Sequence, residues 1–436
     1  MSTAQLSPAT NGAARRRKSS VRFDSKVEIV PNARFNAEDA NKVPRRPRSL
    51  WRRCRRYAVK HTWFIPLVLM LAFVSLYAAN PTEDNVLHRF IFLSYAQPPV
   101  DPGAPLQYGK GPRDITFVAF YTIVLTFTRE FIMQELLAPL ARVWGIKSKA
   151  KQLRFMEQMY TAVYFGFMGP FGLYVMRQSP VWYFDTHGMY EGFPHRTHFA
   201  AFKFYYLFEA AYWAQQAIVM LLGMEARRKD FKELVAHHIV TLALIALSYR
   251  FHFTYIGIAI YITHDISDFF LAVFFPDFFP SSCCAVLRYP LNLLTSSQVS
   301  KSFHYTDSDW IAPFYGTSVL AWIYLRHYLN LRVLYSLLTE FRTVGPYELN
   351  WETQQYKCWI SNIITFALLA MLQSLNLFWL YCLLRSAFKF VVYGVKKDDR
   401  SEDEPEPEIE VDYSRQMKGD AGVEKVNGQA GSTQKL

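Results

Sequence analysis

Apolar stretches of roughly transmembrane length alternate with polar segments along most of this chain. Eight of them are candidate spans: residues 63–79, 115–137, 156–176, 199–222, 234–249, 255–272, 311–325 and 359–384. A helix rises about 1.5 Å per residue, so crossing a bilayer takes about 20 apolar residues. We therefore predict an all-α fold, a polytopic bundle of about eight transmembrane helices, with seven as the alternative.

Composition supports a membrane protein over a soluble one. Hydrophobic residues make up 51% of the chain, aromatic residues 17% and charged residues 19%, whereas a soluble domain averages about 25% charged residues. A wholly disordered chain and a small disulfide scaffold are both excluded. The five cysteines include no CxxC pair, so we expect free thiols.

Charge is concentrated at the two ends. Residues 1–61 hold 16 Lys/Arg and 4 Asp/Glu, and residues 398–412 hold nine acids and one base. The basic segment leads directly into the first apolar stretch, which favours a positive-inside anchor over a nucleic-acid-binding tail. The basic loops 142–154 and 225–232 then place both ends of an eight-span chain in the cytosol. Segment 326–357 would be lumenal, or partly embedded because it carries arginines.

Two groups of polar residues lie within apolar stretches, where each is costly. One is the pair His237 and His238; the other is His264, Asp265 and Asp268. Residues three or four apart share a helix face, and two spans joined by a short connection pack antiparallel. The rise per residue puts both groups at similar depth, so we predict that they meet.

A histidine beside a carboxylate can remove a proton from an amine or hydroxyl nucleophile. We therefore predict that His237, His238, Asp265 and Asp268 are catalytic. Interhelical hydrogen bonding that only holds the bundle together is the alternative. Zinc binding by the same four side chains is chemically permissible, but no HExxH motif accompanies them, and we predict no metal.

Other catalytic motifs give little support. The HxxH at 195–198 lies in a polar loop and is expected to be solvated. The sequence contains no GxSxG, P-loop or GxGxxG motif, so neither a nucleophile elbow nor a nucleotide fold is indicated.

The residues around the two groups resemble a known family. RRKDF (227–231), His237-His238 and HDxxD (264–268) resemble the Lag motif of the TRAM/Lag1/CLN8 (TLC-domain) family. Downstream, YLRHYLN (324–330) and the run at 339–360 resemble the fungal Lag1/Lac1 ceramide synthases. The resemblance covers about residues 60–400.

The resemblance implies an endoplasmic-reticulum membrane enzyme that transfers a fatty acyl group from acyl-CoA to the amine of a sphingoid base. The product would be dihydroceramide or phytoceramide. Acyl-CoA would be a co-substrate, with no permanently bound cofactor. Expected partners are membrane lipids, a small single-span accessory subunit and a second copy or paralogue, but no nucleic acid.

Substrate-binding residues can be expected as well. CoA is polyanionic and approaches from the cytosol, where Arg227, Arg228 and Lys229 would attract it, and His264 would also bind substrate. The main alternative is a non-enzymatic relative, a lipid-sensing or translocon-associated membrane protein. Two His and two Asp in facing spans favour catalysis. A fatty-acid elongase would show HxxHH, which is missing from the sequence.

The predicted organisation has four parts. They are a disordered basic tail (1–61), a first span with a lumenal loop (62–114), a TLC acyltransferase domain (115–395) and a disordered acidic tail (396–436). Acidic residues follow Ser401 directly, so we expect either phosphorylation by an acidophilic kinase or a tail that only aids solubility.

Residues 273–298 interrupt the similarity to the family. They hold three prolines and two adjacent cysteines, and their codons could spell a retained intron. A genuine loop insertion is the alternative, because surface connections tolerate added residues.

Overall fold

A computed structural model describes residues 50–99, 102–103, 105–146, 148–224, 229–272 and 311–393. The chain divides into two compact units, Met1–Cys54 and Arg55–Leu436. Of the first unit only residues 50–54 are described, and they are helical. All other described residues belong to the second unit.

All eight predicted stretches are helical. The helices are α1 (Leu50–Lys60), α2 (Phe64–Ala79), α3 (His88–Ile91), α4 (Arg113–Phe131), α5 (Ala138–Val143), α6 (Lys149–Arg177), α7 (Ala200–Leu221), α8 (Phe231–Arg250), α9 (Thr254–Ala272), α10 (Ile311–Ile323), α11 (Leu329–Thr339) and α12 (Trp359–Tyr393). Wider π-helical turns follow α4 at Ile132–Leu137 and join α10 to α11 at Tyr324–Tyr328. Short 3₁₀ turns lie at Trp182–Phe184 and His187–Met189.

A small antiparallel sheet ties three loops together. Its strands are β1 (Ala96–Gln97), β2 (Gln107–Tyr108) and β3 (His198–Phe199), in that order. Ala96 lies opposite Tyr108, and Gln107 lies opposite Phe199. The sheet therefore fixes the segment before α4 against the start of α7.

Most of the helices contribute to one large aromatic-rich core, and Trp322, Trp379 and Leu383 form a second, smaller apolar cluster. α6 packs along α9, α4 along α7, and α8 along α12. The rings of Tyr164 on α6 and Tyr212 on α7 stack with their centroids 3.7 Å apart. These contacts hold α7, α8 and α9 together around the candidate site.

The predicted number of eight membrane-spanning helices is not confirmed. Among the residues that the structure describes, three helical segments are long and apolar enough to cross a membrane, namely Arg113–Val143, Phe231–Arg250 and Trp359–Ser386. A fourth is added if Cys54–Lys60 and α2, bent by 109°, count as one. α7 is less apolar because it carries Lys203 and Glu209, and both are buried in the bundle.

The predicted boundary of the seventh span is wrong. The helix does not end at residue 325 but continues through the π-helical turn and α11 to Thr339. Arg326, which was predicted to lie in a loop, is only 4% exposed. The prediction ended the helix before this charged residue. A buried arginine can nevertheless lie within a helix when other side chains bond to it.

The adjacent pair Arg129 and Glu130 near the end of α4 faces the protein interior. Arg129 Nη1 donates to Glu130 Oε1 at 2.6 Å, and both side chains are buried. Pairing of this kind offsets the cost of burying each charge.

A second buried polar group, which we name the Lys203 cluster, comprises Lys110, Asp114, His198, Lys203 and Thr254. Lys203 Nζ lies 2.7 Å from Asp114 Oδ1 and donates to the carbonyl oxygens of Ser94 and Gly109 at 2.9 and 2.7 Å. Lys110 Nζ donates to the His195 carbonyl oxygen at 2.7 Å. The cluster joins the segment before α4 to α7 and α9.

The predicted solvation of the HxxH histidines is wrong. His195 and His198 are both buried, and the Thr254 hydroxyl lies 2.9 Å from His198 Nε2. Burial lowers the pKa of His195 to about 4. Polar sequence around the motif suggested exposure, but packing against Tyr255, whose ring centroid is 4.0 Å from that of His195, excludes water.

Candidate active site

The histidine site, defined by His237, His238 and His264, lies where α8 and α9 face each other. All three side chains are buried. The ring centroids of His237 and His264 are 6.4 Å apart and the rings are nearly parallel. The predicted meeting of the two sequence groups is therefore observed for these histidines.

Two tryptophans enclose His237. Its ring centroid lies 5.7 Å from that of Trp213 on α7 and 5.2 Å from that of Trp379 on α12. The Trp379 indole N–H donates to Asp230 Oδ2 at 3.0 Å, just before α8 begins. Four helices thus contribute to the walls of the site.

The two aspartates have partners other than the imidazoles. Tyr205 Oη donates to Asp265 Oδ2 at 2.5 Å, and Arg326 Nη2 donates to Asp268 Oδ1 at 2.5 Å. Successive helical residues are about 100° apart, so Asp265 turns to α7 while His264 faces α8. The expected orientation of a histidine by either carboxylate is thus not seen in these hydrogen bonds.

Hydrogen bonding differs among the three histidines. Nδ1 of His238 donates to the Leu234 carbonyl oxygen at 2.9 Å, and Nδ1 of His264 donates to that of Ile260 at 2.8 Å. His237 Nε2 has only the Thr241 hydroxyl, 3.5 Å away. Within the described residues, His237 Nδ1 and His264 Nε2 have no hydrogen-bond partner.

An apolar cavity of about 220 Å³ begins at His237 and His264. It continues between α8, α9 and α12 to Trp351 and Tyr356 in the segment before α12. Buried atoms without partners are rare in native proteins and call for an explanation such as catalysis or an absent ligand. Among the described residues, four such atoms belong to residues that line the cavity, namely Trp213 Nε1, His237 Nδ1, Tyr261 Oη and His264 Nε2. The two histidine nitrogens give the polar end of the cavity the means to bind a polar head group.

Some predicted site residues lie apart from the histidine site or outside the described residues. Lys229 is exposed just before α8 begins. Arg227, Arg228, Ser401 and the suspected insertion 273–298 fall outside the described residues. Over the part of the chain that is described, no cluster of three His, Cys, Asp or Glu side chains is arranged to hold a metal ion.

Three further residues of the site were not predicted from the sequence. Trp213 and Trp379 were hidden among many aromatic residues, and no spacing rule marks them. Arg326 did carry a signal, because its charge did not fit the loop to which it was assigned.

The helices and their buried polar site define a helical membrane protein. A family model, TRAM_LAG1_CLN8 (TLC domain), matches residues 154–385, just over half of the chain. The chain belongs to this family of TLC-domain proteins.

Curated relatives cover most of the chain. It is 50% identical to the sphingosine N-acyltransferase-like protein FUM17 of Gibberella moniliformis, over 86% of this chain and 91% of the relative. It is 43% identical to the sphingosine N-acyltransferase lac1 of Schizosaccharomyces pombe, over the same shares. It is 40% identical to the ceramide synthase LAG1 of Saccharomyces cerevisiae, over 93% of this chain and 96% of the relative.

Proposed function

We propose that this chain is a ceramide synthase, which transfers a fatty acyl group from acyl-CoA to the amine of a sphingoid base. Relatives that are 40–50% identical over most of the chain carry the names sphingosine N-acyltransferase or ceramide synthase. A non-enzymatic TLC-domain protein would not need a histidine site at the end of an apolar cavity.

The cavity carries this proposal. It runs beside α8 from His237 to Phe251, which is about 21 Å at the rise of an α-helix. Its walls are mostly aliphatic and aromatic, with a few hydroxyl side chains such as Thr241 and Ser248, so a hydrocarbon chain can lie in it. A thioester or an amine at its polar end would then lie beside His237 and His264.

The transfer requires a proton acceptor. A sphingoid amine is protonated near neutral pH and must lose a proton before its nitrogen attacks the thioester carbon. The C–N bond forms and the C–S bond breaks, and the sulfur leaves with the electron pair. One proton returns to sulfur, the other goes to water, and the products are the amide and CoA.

His237 suits the chemical step because it lines the cavity and keeps Nδ1 without a partner among the described residues. It can accept the proton or carry the acyl group transiently. The ring of His238 lies beside it, with the two centroids 5.8 Å apart. Asp265 and Asp268 act through Tyr205 and Arg326, to which they are bonded.

The finer organisation is part of the proposal. We infer eight spans in the endoplasmic-reticulum membrane, with cytosolic ends and a TLC domain at 115–395. Arg227, Arg228 and Lys229 would attract CoA from the cytosol, and His264 would contact substrate. The proposal also includes a single-span accessory subunit and a dimer as partners. It further includes phosphorylation of Ser401 and an inserted segment at 273–298.

The test uses the full chain in microsomes from cells that lack this activity, with sphinganine and a panel of acyl-CoAs. The amount of N-acyl sphinganine formed should increase in proportion to the amount of this protein in the microsomes. His237→Ala should abolish its formation. His187→Ala is the matched control, because His187 lies in a 3₁₀ turn with its side chain 61% exposed. Absence of product with every acyl-CoA would favour a non-enzymatic role.

A further inference from the structure

Arg326 occupies an unusual place in the fold. It lies in the π-helical turn Tyr324–Tyr328, whose wider winding differs from that of the α-helices on both sides. Such turns are rare and frequently lie at functional sites. This one places a guanidinium group inside the bundle.

Three side chains fix that guanidinium group. Nε donates to Ser267 Oγ at 2.6 Å, Nη2 to Asp268 Oδ1 at 2.5 Å and Nη1 to Asn376 Oδ1 at 3.3 Å. Ser267 and Asp268 follow His264 by three and four residues, so they lie within about one helical turn of it. The arginine is therefore held in one orientation beside the histidine site.

The guanidinium group is also well placed to bind an anion. Arginine has five N–H donors, and its bonds to Ser267, Asp268 and Asn376 leave two of them. Its positive charge acts on the rings of both His237 and His264. Asp268, its ionic partner, has a side chain 22% exposed, while the side chain of Arg326 itself is 5% exposed.

We propose that Arg326 is a further catalytic residue, which binds the negative charge that develops on the thioester of acyl-CoA during transfer. This inference rests on the proposed acyl transfer. Nucleophilic attack moves an electron pair onto the carbonyl oxygen, and cleavage of the C–S bond then moves a pair onto sulfur. A fixed cation stabilises both anionic stages, whether an imidazole or the amine attacks, and Asp268 holds it in position.

The test compares Arg326→Gln and Arg326→Lys with the wild type in purified full-length protein, with activity normalised to folded protein. Removing one group that stabilises the transition-state oxyanion costs about 100-fold in kcat, so Arg326→Gln should lose about that factor. KM for acyl-CoA should stay nearly unchanged. Arg326→Lys keeps the positive charge but loses the three hydrogen bonds. Its kcat should lie between those of Arg326→Gln and the wild type.

A truncated thioester shows whether Arg326 binds the negative charge on the reacting thioester or that on the phosphates of CoA. Acyl-N-acetylcysteamine has the thioester but none of the phosphates of CoA. The proposal expects the same loss of kcat with both substrates. A loss confined to acyl-CoA would overturn it in favour of phosphate binding.

Arg129→Gln is the matched control, because Arg129 also belongs to a buried Arg–acid pair. It should lower thermal stability without lowering kcat per folded protein. Unchanged kcat in Arg326→Gln would overturn the proposal, while wild-type activity in the same assay would leave the acyl transfer itself intact.

Discussion

The histidine site and the Lys203 cluster are both polar regions buried among helices, but they differ in how fully their key groups are bonded. Lys203 Nζ has three oxygen partners within 2.9 Å. Among the described residues, the ring nitrogens of His237 have one hydrogen-bond contact, to the Thr241 hydroxyl at 3.5 Å. Buried polar groups are normally satisfied, so the first region is built for stability and the second keeps free atoms for a ligand.

Free atoms alone do not mark a functional site. His195 and His252 also keep one ring nitrogen without a partner among the described residues. Neither lines the cavity, whereas His237 and His264 do. The histidine site differs from the Lys203 cluster because its unpaired ring nitrogens belong to residues that line a cavity.

The largest effect is expected from breaking the Lys203 cluster. Lys203→Met removes the cation that pairs with buried Asp114, which costs about 3–5 kcal/mol. The protein should fail to accumulate or should unfold at a much lower temperature, measured by thermal unfolding in detergent. The double variant Lys203→Met/Asp114→Leu should recover part of the loss, because both members of the ion pair are then removed together. No recovery would argue against the pair as the source of stability.

The histidine site should show the opposite behaviour. His238→Ala and Asp265→Asn should each lower N-acyl transfer by at least about 100-fold, since His238 belongs to the histidine site and Asp265 directly follows His264. Their unfolding temperatures should change by no more than about 3 °C. Activity and thermal unfolding measured on the same preparations check this. A variant that keeps most of its activity removes that residue from the chemical step.

Filling the cavity should change selectivity more than stability. Leu244 lines the cavity two helical turns beyond His237, so Leu244→Trp should shorten the space left for a hydrocarbon chain. We expect activity with long acyl-CoAs to fall about tenfold relative to short ones. Ala246→Trp places the same side chain at an exposed position on the same helix and should leave the ratio unchanged. An equal loss with all chain lengths would contradict the cavity as the acyl site.

The smallest effect concerns the pH dependence of stability. His195 has a pKa of about 4 in the folded protein because it is buried, compared with about 6.5 when unfolded. Below pH 6.5 the unfolded chain therefore binds more protons, and stability falls as the pH falls toward 4. At pH 5.5 the loss is about 1 kcal/mol.

His195→Gln should reduce the fall in unfolding temperature between pH 7 and pH 5.5, although it lowers stability at both values. Identical falls for the variant and the wild type would show that His195 does not titrate in this way.

The sequence was sufficient to predict eight helical stretches and the proximity of His237 and His264. Apolar runs of about 20 residues identified all eight helical stretches, and the spacing of His237 and His264 on consecutive spans predicted that they meet. These inferences depend on periodicity, which is local and visible in the sequence.

Tertiary partners could not be predicted in the same way. Nothing near Asp268 in the sequence shows that its partner is Arg326, nor that Tyr205 bonds to Asp265. The burial of His195 and His198 depends on residues 254–255 packing over them. Such contacts join positions 50 or more residues apart, and no local pattern encodes them.

The π-helical turn at Tyr324–Tyr328 affects where this helix can lose a residue without changing its packing. A turn of this kind holds more residues than an α-helical turn, so losing one residue there can close it to an ordinary α-helical turn. The helices on both sides would then keep nearly the same orientation. Deleting one residue within α11 itself would instead rotate every later residue by about 100°, and part of the buried face formed by Leu329, Val333 and Leu337 would leave the core. We therefore expect a deletion within α11 to disturb packing more than a deletion in the wide turn before it.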